Sequence, residues 1–218
     1  VQFIKKGALV FDVGANIGNR TEVFLNLGAS VIAIEPQSNC AEVLMQNYSS
    51  NPNFTIVQKA LGSSAGESKM WLNSNHVLSS LSEEWIKRTK ASNRFGTCLS
   101  QYYASCNVEV TTLDNLILQF GKPEFCKIDV EGYEFEVLLG LSQPIKAISF
   151  EFTREYSEAS ESCINHLATI GNYRFNLSFG ESMHFNLQNW VDAQEISNYL
   201  KSFSGLEWGD IYARLEEK

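Results

Sequence analysis

Apolar positions change their period along this chain, and each change marks an element. Leu9, Val10, Phe11 and Val13 form a short, nearly continuous apolar run, the pattern of a strand buried on both faces. Gly14 and Gly18 bracket a turn after it. Residues 21–27 then place Val23, Phe24 and Leu27 ahead of Gly28, a C-terminal helix stop. The next apolar run, 31–34, ends at Glu35. Ser38 is placed to cap a helix over 40–48, with Cys40, Ala41, Leu44, Met45 and Tyr48 on one face. A third strand at 54–58 completes a β-α-β-α-β order.

The middle of the chain is less regular. Residues 69–72 predict a small strand, and 73–107 are rich in Ser, Asn and Tyr. Within them Ser80-Leu81-Ser82-Glu83 fits a capping box opening a short helix through 85–90. Long irregular stretches in compact domains tend to be functional, so 73–107 reads as a mobile lid or acceptor-binding insert. Alternation resumes with a strand at 108–111, a helix over 113–120 ended by Gly121, and a strand at 125–130. A helix carrying Phe135, Val137, Leu138 and Leu141 follows, then a buried strand at 145–152. Ser157 opens a helix with Cys163, Ile164, Leu167 and Ala168 on its apolar face, stopped by Gly171. Strands are predicted at 173–177 and 183–187. Asp192-Ala193-Gln194-Glu195 then caps a helix that turns Ile196, Tyr199, Leu200 and Phe203 inward, and 211–215 is the last strand. The alternation predicts one doubly wound α/β domain over 1–218, with ligands at the carboxyl ends of its strands.

Composition narrows the picture. At 218 residues and 44% apolar, the chain can bury a substantial core. Its 17 Lys+Arg against 25 Asp+Glu argue against a broad nucleic-acid surface. No apolar run approaches a membrane span, and no signal peptide is visible. The cysteines Cys40, Cys98, Cys106, Cys126 and Cys163 are scattered and lack a CxxC pair. They fit free thiols of a reducing, cytoplasmic compartment and offer no metal site, although Cys98 and Cys106 are near enough to pair under oxidising conditions. The pattern leaves the oligomeric state open.

The candidate chemistry gathers at strand ends. Glu35 lies twenty-one residues beyond Gly14, and a parallel αβ unit puts such an acid beside the turn, where it accepts hydrogen bonds from both ribose hydroxyls of a nucleoside. A dinucleotide turn reads GxGxxG, but here Asn16 holds the middle glycine's place. Asp12 would repel a pyrophosphate and pair with an ammonium group, so S-adenosylmethionine is favoured over NAD. Asp129 and Glu131 end the strand after 125–128 and should meet the turn. Glu131 is equally placed to cap the following helix. Glu151 is costly within an apolar strand unless it is paired or lines a polar cleft. Among the histidines, His166 reads as solvated, His184 faces outward or into a cleft, and His76 alone is placed to approach an acceptor. Trp71, Trp85, Trp190 and Trp208 read as core or lid residues rather than a sugar platform.

These motifs also carry a family resemblance. Residues 12–18 (DVGANIG), Ile34-Glu35-Pro36, Lys59-Ala60-Leu61-Gly62, Thr112-Leu113-Asp114, 127–134 (KIDVEGYE) and 148–152 (ISFEF) resemble the succession in FkbM-type methyltransferases. The resemblance covers about 9–152, and the closing strands more weakly. It implies a Rossmann-like, mostly parallel seven-stranded sheet with an antiparallel last strand. It further implies S-adenosylmethionine held by Asp12, Gly14, Asn16, Gly18, Glu35, Pro36, Ala60, Leu61 and Asp129. The acceptor would be an oxygen of a sugar, a polyketide or another small or lipid-linked molecule. Asp129 or Glu151 is the candidate base, with His76 behind them, and an acceptor carboxylate would need none. Two rivals remain. An NAD-dependent oxidoreductase or epimerase is disfavoured by the missing GxGxxG and by Tyr102 and Tyr103 lacking a lysine at Tyr-x-x-x-Lys spacing. A non-catalytic cofactor-binding module would use 73–107 for a partner.

Overall fold

The computed structural model describes residues 3–216, and in it the first apolar run is β1 (Leu9–Val13). α1 (Asn19–Asn26) leads to β2 (Ser30–Ile34), and α2 (Ser38–Tyr48) to β3 (Phe54–Val57). The chain then makes β4 (Ala60–Leu61), β5 (Gly66–Asn73), α3 (Glu83–Ala91) and β6 (Tyr102–Thr111). It returns through α4 (Leu113–Phe120), β7 (Phe125–Ile128), α5 (Glu134–Leu139) and β8 (Ala147–Thr153). α6 (Ser157–Ile170), β9 (Tyr173–Phe179), α7 (Ala193–Lys201) and β10 (Trp208–Leu215) close it.

The main sheet has seven strands in the order β3-β2-β1-β7-β8-β10-β9. β10 runs antiparallel to both neighbours, and the pairs among β3, β2, β1, β7 and β8 are parallel. This is the predicted architecture. The chain winds outward from β1 to β3 and then restarts at β7 on the other side, so the switch point, where a crevice opens, lies between β1 and β7.

Register decides what each face carries. Phe11, Cys126, Ile148, Ala213 and Phe175 are mutual partners across β1, β7, β8, β10 and β9, and all are buried. That row faces the apolar stripes of α4, α5, α6 and α7 and forms the main core. Each large side chain buried there contributes roughly 1.5–3 kcal/mol. The next row is Asp12, Lys127, Ser149, Tyr212 and Asn176, which points to the other face. One face of the sheet is therefore apolar throughout, and the other turns polar towards its carboxyl edge.

Several boundaries differ from expectation. Ser38 does not cap α2: the cap is Gln37, whose N–H is tied to Glu35, and Ser38 Oγ accepts from Gln58 Nε2 at 3.0 Å. The cap of α3 is Ser82, accepting from Trp85 N, and not Ser80, whose hydroxyl donates to Glu131 O at 2.6 Å. The Asp192–Glu195 capping box of α7 forms as predicted. Residues 183–187 are no strand: Met183 has φ 57°, and Asn176 bonds both the N–H and C=O of Leu187. Their alternation instead packs Phe185 against Trp190 and Tyr212, with ring centroids 5.1 Å apart in each pair. The 73–107 stretch is more regular than its composition suggests. It contains α3 and the start of β6, which pairs with β4 and β5 in a separate three-stranded sheet. His166 is half-buried against Leu141 O at 3.1 Å, not solvated, and Ala168 is exposed. The five cysteines are free. Among the described residues, no helix is long and apolar enough to cross a membrane.

Candidate active site

The glycine turn and Glu35 are joined by a direct hydrogen bond, and a second donor holds the other carboxylate oxygen. Asn16 N donates to Glu35 Oε2 at 2.9 Å and Gln37 N to Oε1 at 2.8 Å. Glu35 is only 2% exposed, and burial pushes its carboxyl up to about 7 despite those two donors. Asn16 sits at φ 51° and accepts Ile17 N on its own Oδ1, the local bond that lets asparagine adopt a left-handed backbone. The substitution of the middle glycine thus both shapes the turn and orients the acid. Gly14 has a stricter requirement: a Cβ there would lie 1.8 Å from Asp129 O, because the end of β7 crosses directly over it. A small cavity of about 50 Å³ opens beside Glu35, where Pro36, Ala60, Leu61, Asn16, Gly14 and Asp129 meet. Gly18 is the left-handed N-cap of α1 and lines neither this cavity nor the main crevice.

The main crevice, about 570 Å³, lies on the other side of Gly14 and Asp129. Asp12 forms part of its floor, accepting from Thr21 Oγ1 at 2.5 Å, and burial pushes its carboxyl up to about 6. Asp129 is held by Lys127, whose buried ammonium lies 3.2 Å from Asp129 Oδ2 and 2.6 Å from Asp210 Oδ1. Glu131 and Gly132 both take positive φ, at 54° and 85°. Their loop is fixed by Glu134 Oε1, which accepts Val130 N at 3.2 Å and Gly132 N at 3.1 Å. Trp85 of α3 seats on Gly132, where a Cβ would meet the indole at 2.2 Å. The 73–107 stretch is therefore docked onto the acidic loop.

Asp129, Glu131 and Glu151 bring carboxylate oxygens within 4.8 Å of one another. Burial, reinforced by mutual repulsion with Asp129, holds Glu131 and Glu151 well above the ordinary carboxylate range. Such a trio binds a proton more tightly than isolated carboxylates do, or accepts a cation. His76 stands apart from it. It lines the Glu35-side cavity, its Nδ1 is buried without a hydrogen-bond partner among the described residues, and its carbonyl accepts from Gln37 Nε2 at 3.1 Å.

Lys127, which holds Asp129 from within the sheet, and three residues lining the crevice escape sequence reasoning. Lys127 carries a usable signal, a lone cation in an apolar strand two residues before Asp129 and therefore on the same face. Arg20, Glu181 and Trp208 carry none, since only the fold brings them to the wall of the crevice.

A model of the FkbM methyltransferase domain matches residues 12–212. The hexuronic acid methyltransferase AglP of Haloferax volcanii is 26% identical over 150 residues, covering 65% of this chain and 53% of its own length. The chain thus spans about half the length of that relative. A chloroplastic ribosomal RNA small subunit methyltransferase of Arabidopsis thaliana is 30% identical over 56 residues, 26% of this chain and 16% of its own length. Among solved structures, a precorrin-6y C5,15-methyltransferase from Geobacter metallireducens superposes with a TM-score of 0.50 at 11% identity, covering 97% of this chain and 82% of its own. That likeness is one of fold. With the family match spanning from Asp12 to Tyr212, the chain belongs to the FkbM methyltransferase family.

Proposed function

We propose that this protein transfers a methyl group from S-adenosylmethionine to a hydroxyl oxygen of a sugar or of another small or lipid-linked acceptor. The observation that carries the reading is Glu35, locked to the glycine turn through Asn16 and lining a small cavity that shares Gly14, Asn16 and Asp129 with the acidic crevice. Asp12, Asp129, Glu131 and Glu151 together would repel a pyrophosphate, which disfavours a dinucleotide. They suit a ligand carrying an ammonium and a sulfonium. Glu35 would hold the ribose hydroxyls, Pro36, Ala60 and Leu61 would border the base, and Asp12 and Asp129 would face the ammonium. When bound, S-adenosylmethionine supplies an electrophilic methyl group.

The chain's own task is to orient the acceptor and manage one proton. Holding an acceptor oxygen in line can supply roughly 7–11 kcal/mol of the barrier. Glu151 receives the hydroxyl proton. Burial and its neighbours Glu131 and Asp129 raise its proton affinity, which suits it to accept that proton, and positive charge in the filled crevice favours its ionised form. Asp129, steadied by Lys127, faces the cofactor side, and His76 is the next candidate base. The docked 73–107 stretch covers this edge as the lid. The likeness to AglP, a hexuronic acid methyltransferase, supports a carbohydrate acceptor. Titration calorimetry tests the cofactor: S-adenosylmethionine or its demethylated product should bind and NAD should not. Tight NAD binding without methyl-donor binding would overturn the reading.

A further inference from the structure

We infer that the crevice recognises an acidic sugar, whose carboxylate takes the place of Glu181 on Arg20 while its ring lies against Trp208. The inference rests on the sugar-methylation reading above and adds the chemical class of the acceptor.

Among the described residues, two cations line the crevice, Arg20 and Arg94. Arg94 is committed to the fold. Its side chain is 7% exposed, and its Nε and Nη2 both bond the Glu155 carboxylate, with Glu207 O at 3.3 Å. Arg20 is different. Its guanidinium donates to one oxygen of Glu181 and lies 3.9 Å from Met183 Sδ, both in the connection between β9 and α7. Five donors in a rigid fork suit a bidentate carboxylate, and Glu181 satisfies the fork through a single oxygen. Glu181 is 65% exposed, so that ion pair contributes little and is readily exchanged. An arriving acceptor carboxylate displaces Glu181, which is exposed enough to turn its charge into solvent, and the Arg20 guanidinium offsets the repulsion from Asp12, Asp129 and Glu151.

Trp208 supplies the second contact. It opens β10, its carbonyl accepts Gly180 N at 2.9 Å, and its indole packs on Gly180, where a Cβ would lie 3.6 Å away. It is 39% exposed and lines the crevice, so it is not a core residue. Register pairs Asp210 with Glu151 and Trp208 with Thr153, so the indole stands one step beyond Glu151 on the same face. A rigid aromatic surface beside planar polar groups matches a pyranose, which presents a C–H face and a rim of hydroxyls.

The experiment compares methyl glucuronoside with methyl glucoside as acceptors for wild type, Arg20→Gln, Glu181→Gln and Trp208→Ala, alongside calorimetry of S-adenosylhomocysteine. Wild type should favour the acidic glycoside by about tenfold or more in kcat/KM. Arg20→Gln should bring that ratio to about one with cofactor-product affinity unchanged. Glu181→Gln should lower KM for the acidic glycoside, because its competitor is gone. Trp208→Ala should raise KM for both sugars while kcat is kept. Equal use of the two glycosides by wild type overturns the inference and leaves the sugar reading standing. A higher KM in Glu181→Gln also overturns it. Weaker S-adenosylhomocysteine binding in Arg20→Gln would assign the guanidinium to the methionine carboxylate, with the same consequence. Methylation of neither glycoside despite cofactor binding removes the sugar reading and this inference together.

Discussion

Replacing Glu35 with glutamine removes charge from the proposed cofactor site while keeping its volume. The carboxylate accepts Gln37 N at 2.8 Å and Asn16 N at 2.9 Å. An amide offers one acceptor and turns an NH2 towards the other donor. Hydrogen bonds to a charged acceptor contribute about 1.5–3 kcal/mol against about 0.5–1.5 for neutral ones. The loss on binding S-adenosylhomocysteine should then be about 1–3 kcal/mol, or roughly 5–150-fold. The pH dependence is the sharper signature. With the Glu35 carboxyl pushed up to about 7, its ionised fraction falls from about nine-tenths at pH 8 to about one-tenth at pH 6. Wild-type affinity should weaken about tenfold over that range, with about a further twofold from Asp12, whose carboxyl lies at about 6. Glu35→Gln should retain only the smaller dependence. Calorimetry at pH 6, 7 and 8, in two buffers of different ionisation enthalpy, measures both the affinity and the protons released. A variant with the wild-type pH slope would refute the assignment of Glu35 to the ligand.

Other consequences concern stability. Asp12 and Glu35 are both raised on folding, from 3.8 and 4.5, so their contribution is complete below pH 4 and is lost as pH rises through about 6 and about 7. Each accounts for about 3 kcal/mol, so the Tm of the ligand-free protein should fall between pH 5 and 8, and less steeply in Asp12→Asn. Gly14→Ala should cost at least about 3 kcal/mol in urea denaturation, because its Cβ would strike Asp129 O. Gly7→Ala has equally positive φ but open space, and should cost only about 1–2 kcal/mol. Lys127→Met strands Asp129 and Asp210 without their cation and should cost about 3–5 kcal/mol; adding Asp210→Asn should restore part of that in a double-mutant cycle.

The parallel strands were legible because strands buried on both faces read as apolar runs, as at Phe125–Ile128 and Ala147–Thr153. Of the second sheet only the segments 69–72 and 108–111 were legible as strands; its pairing was not, since pairs such as Met70 with Cys106 join distant residues and its strands carry Glu67, Lys69 and Glu109 on exposed positions. At the site, Glu35, Asp129 and Glu151 were readable because each ends a recognisable strand. The left-handed loop at Glu131 and Gly132 depends on Trp85, a tertiary contact that no local pattern announces. Arg20 and Glu181, 161 residues apart, meet only because the β9–α7 connection folds back over the crevice. The apparent strand at 183–187 failed for a related reason: its alternating Met183, Phe185 and Leu187 serve that connection instead of a sheet.

Single-turnover methyl transfer from labelled S-adenosylmethionine to a panel of glycosides tests the central claim most directly, run on wild type, Asp129→Asn and Glu151→Gln with cofactor affinity measured on the same samples. The account predicts label in a base-stable ether with wild type. Asp129→Asn should lose both affinity and rate, and Glu151→Gln should keep affinity while its rate falls about 10²–10⁴-fold. Wild-type rate in Glu151→Gln with a hydroxyl acceptor would remove it as the base in favour of His76, and no transfer to any hydroxyl would contradict the account itself.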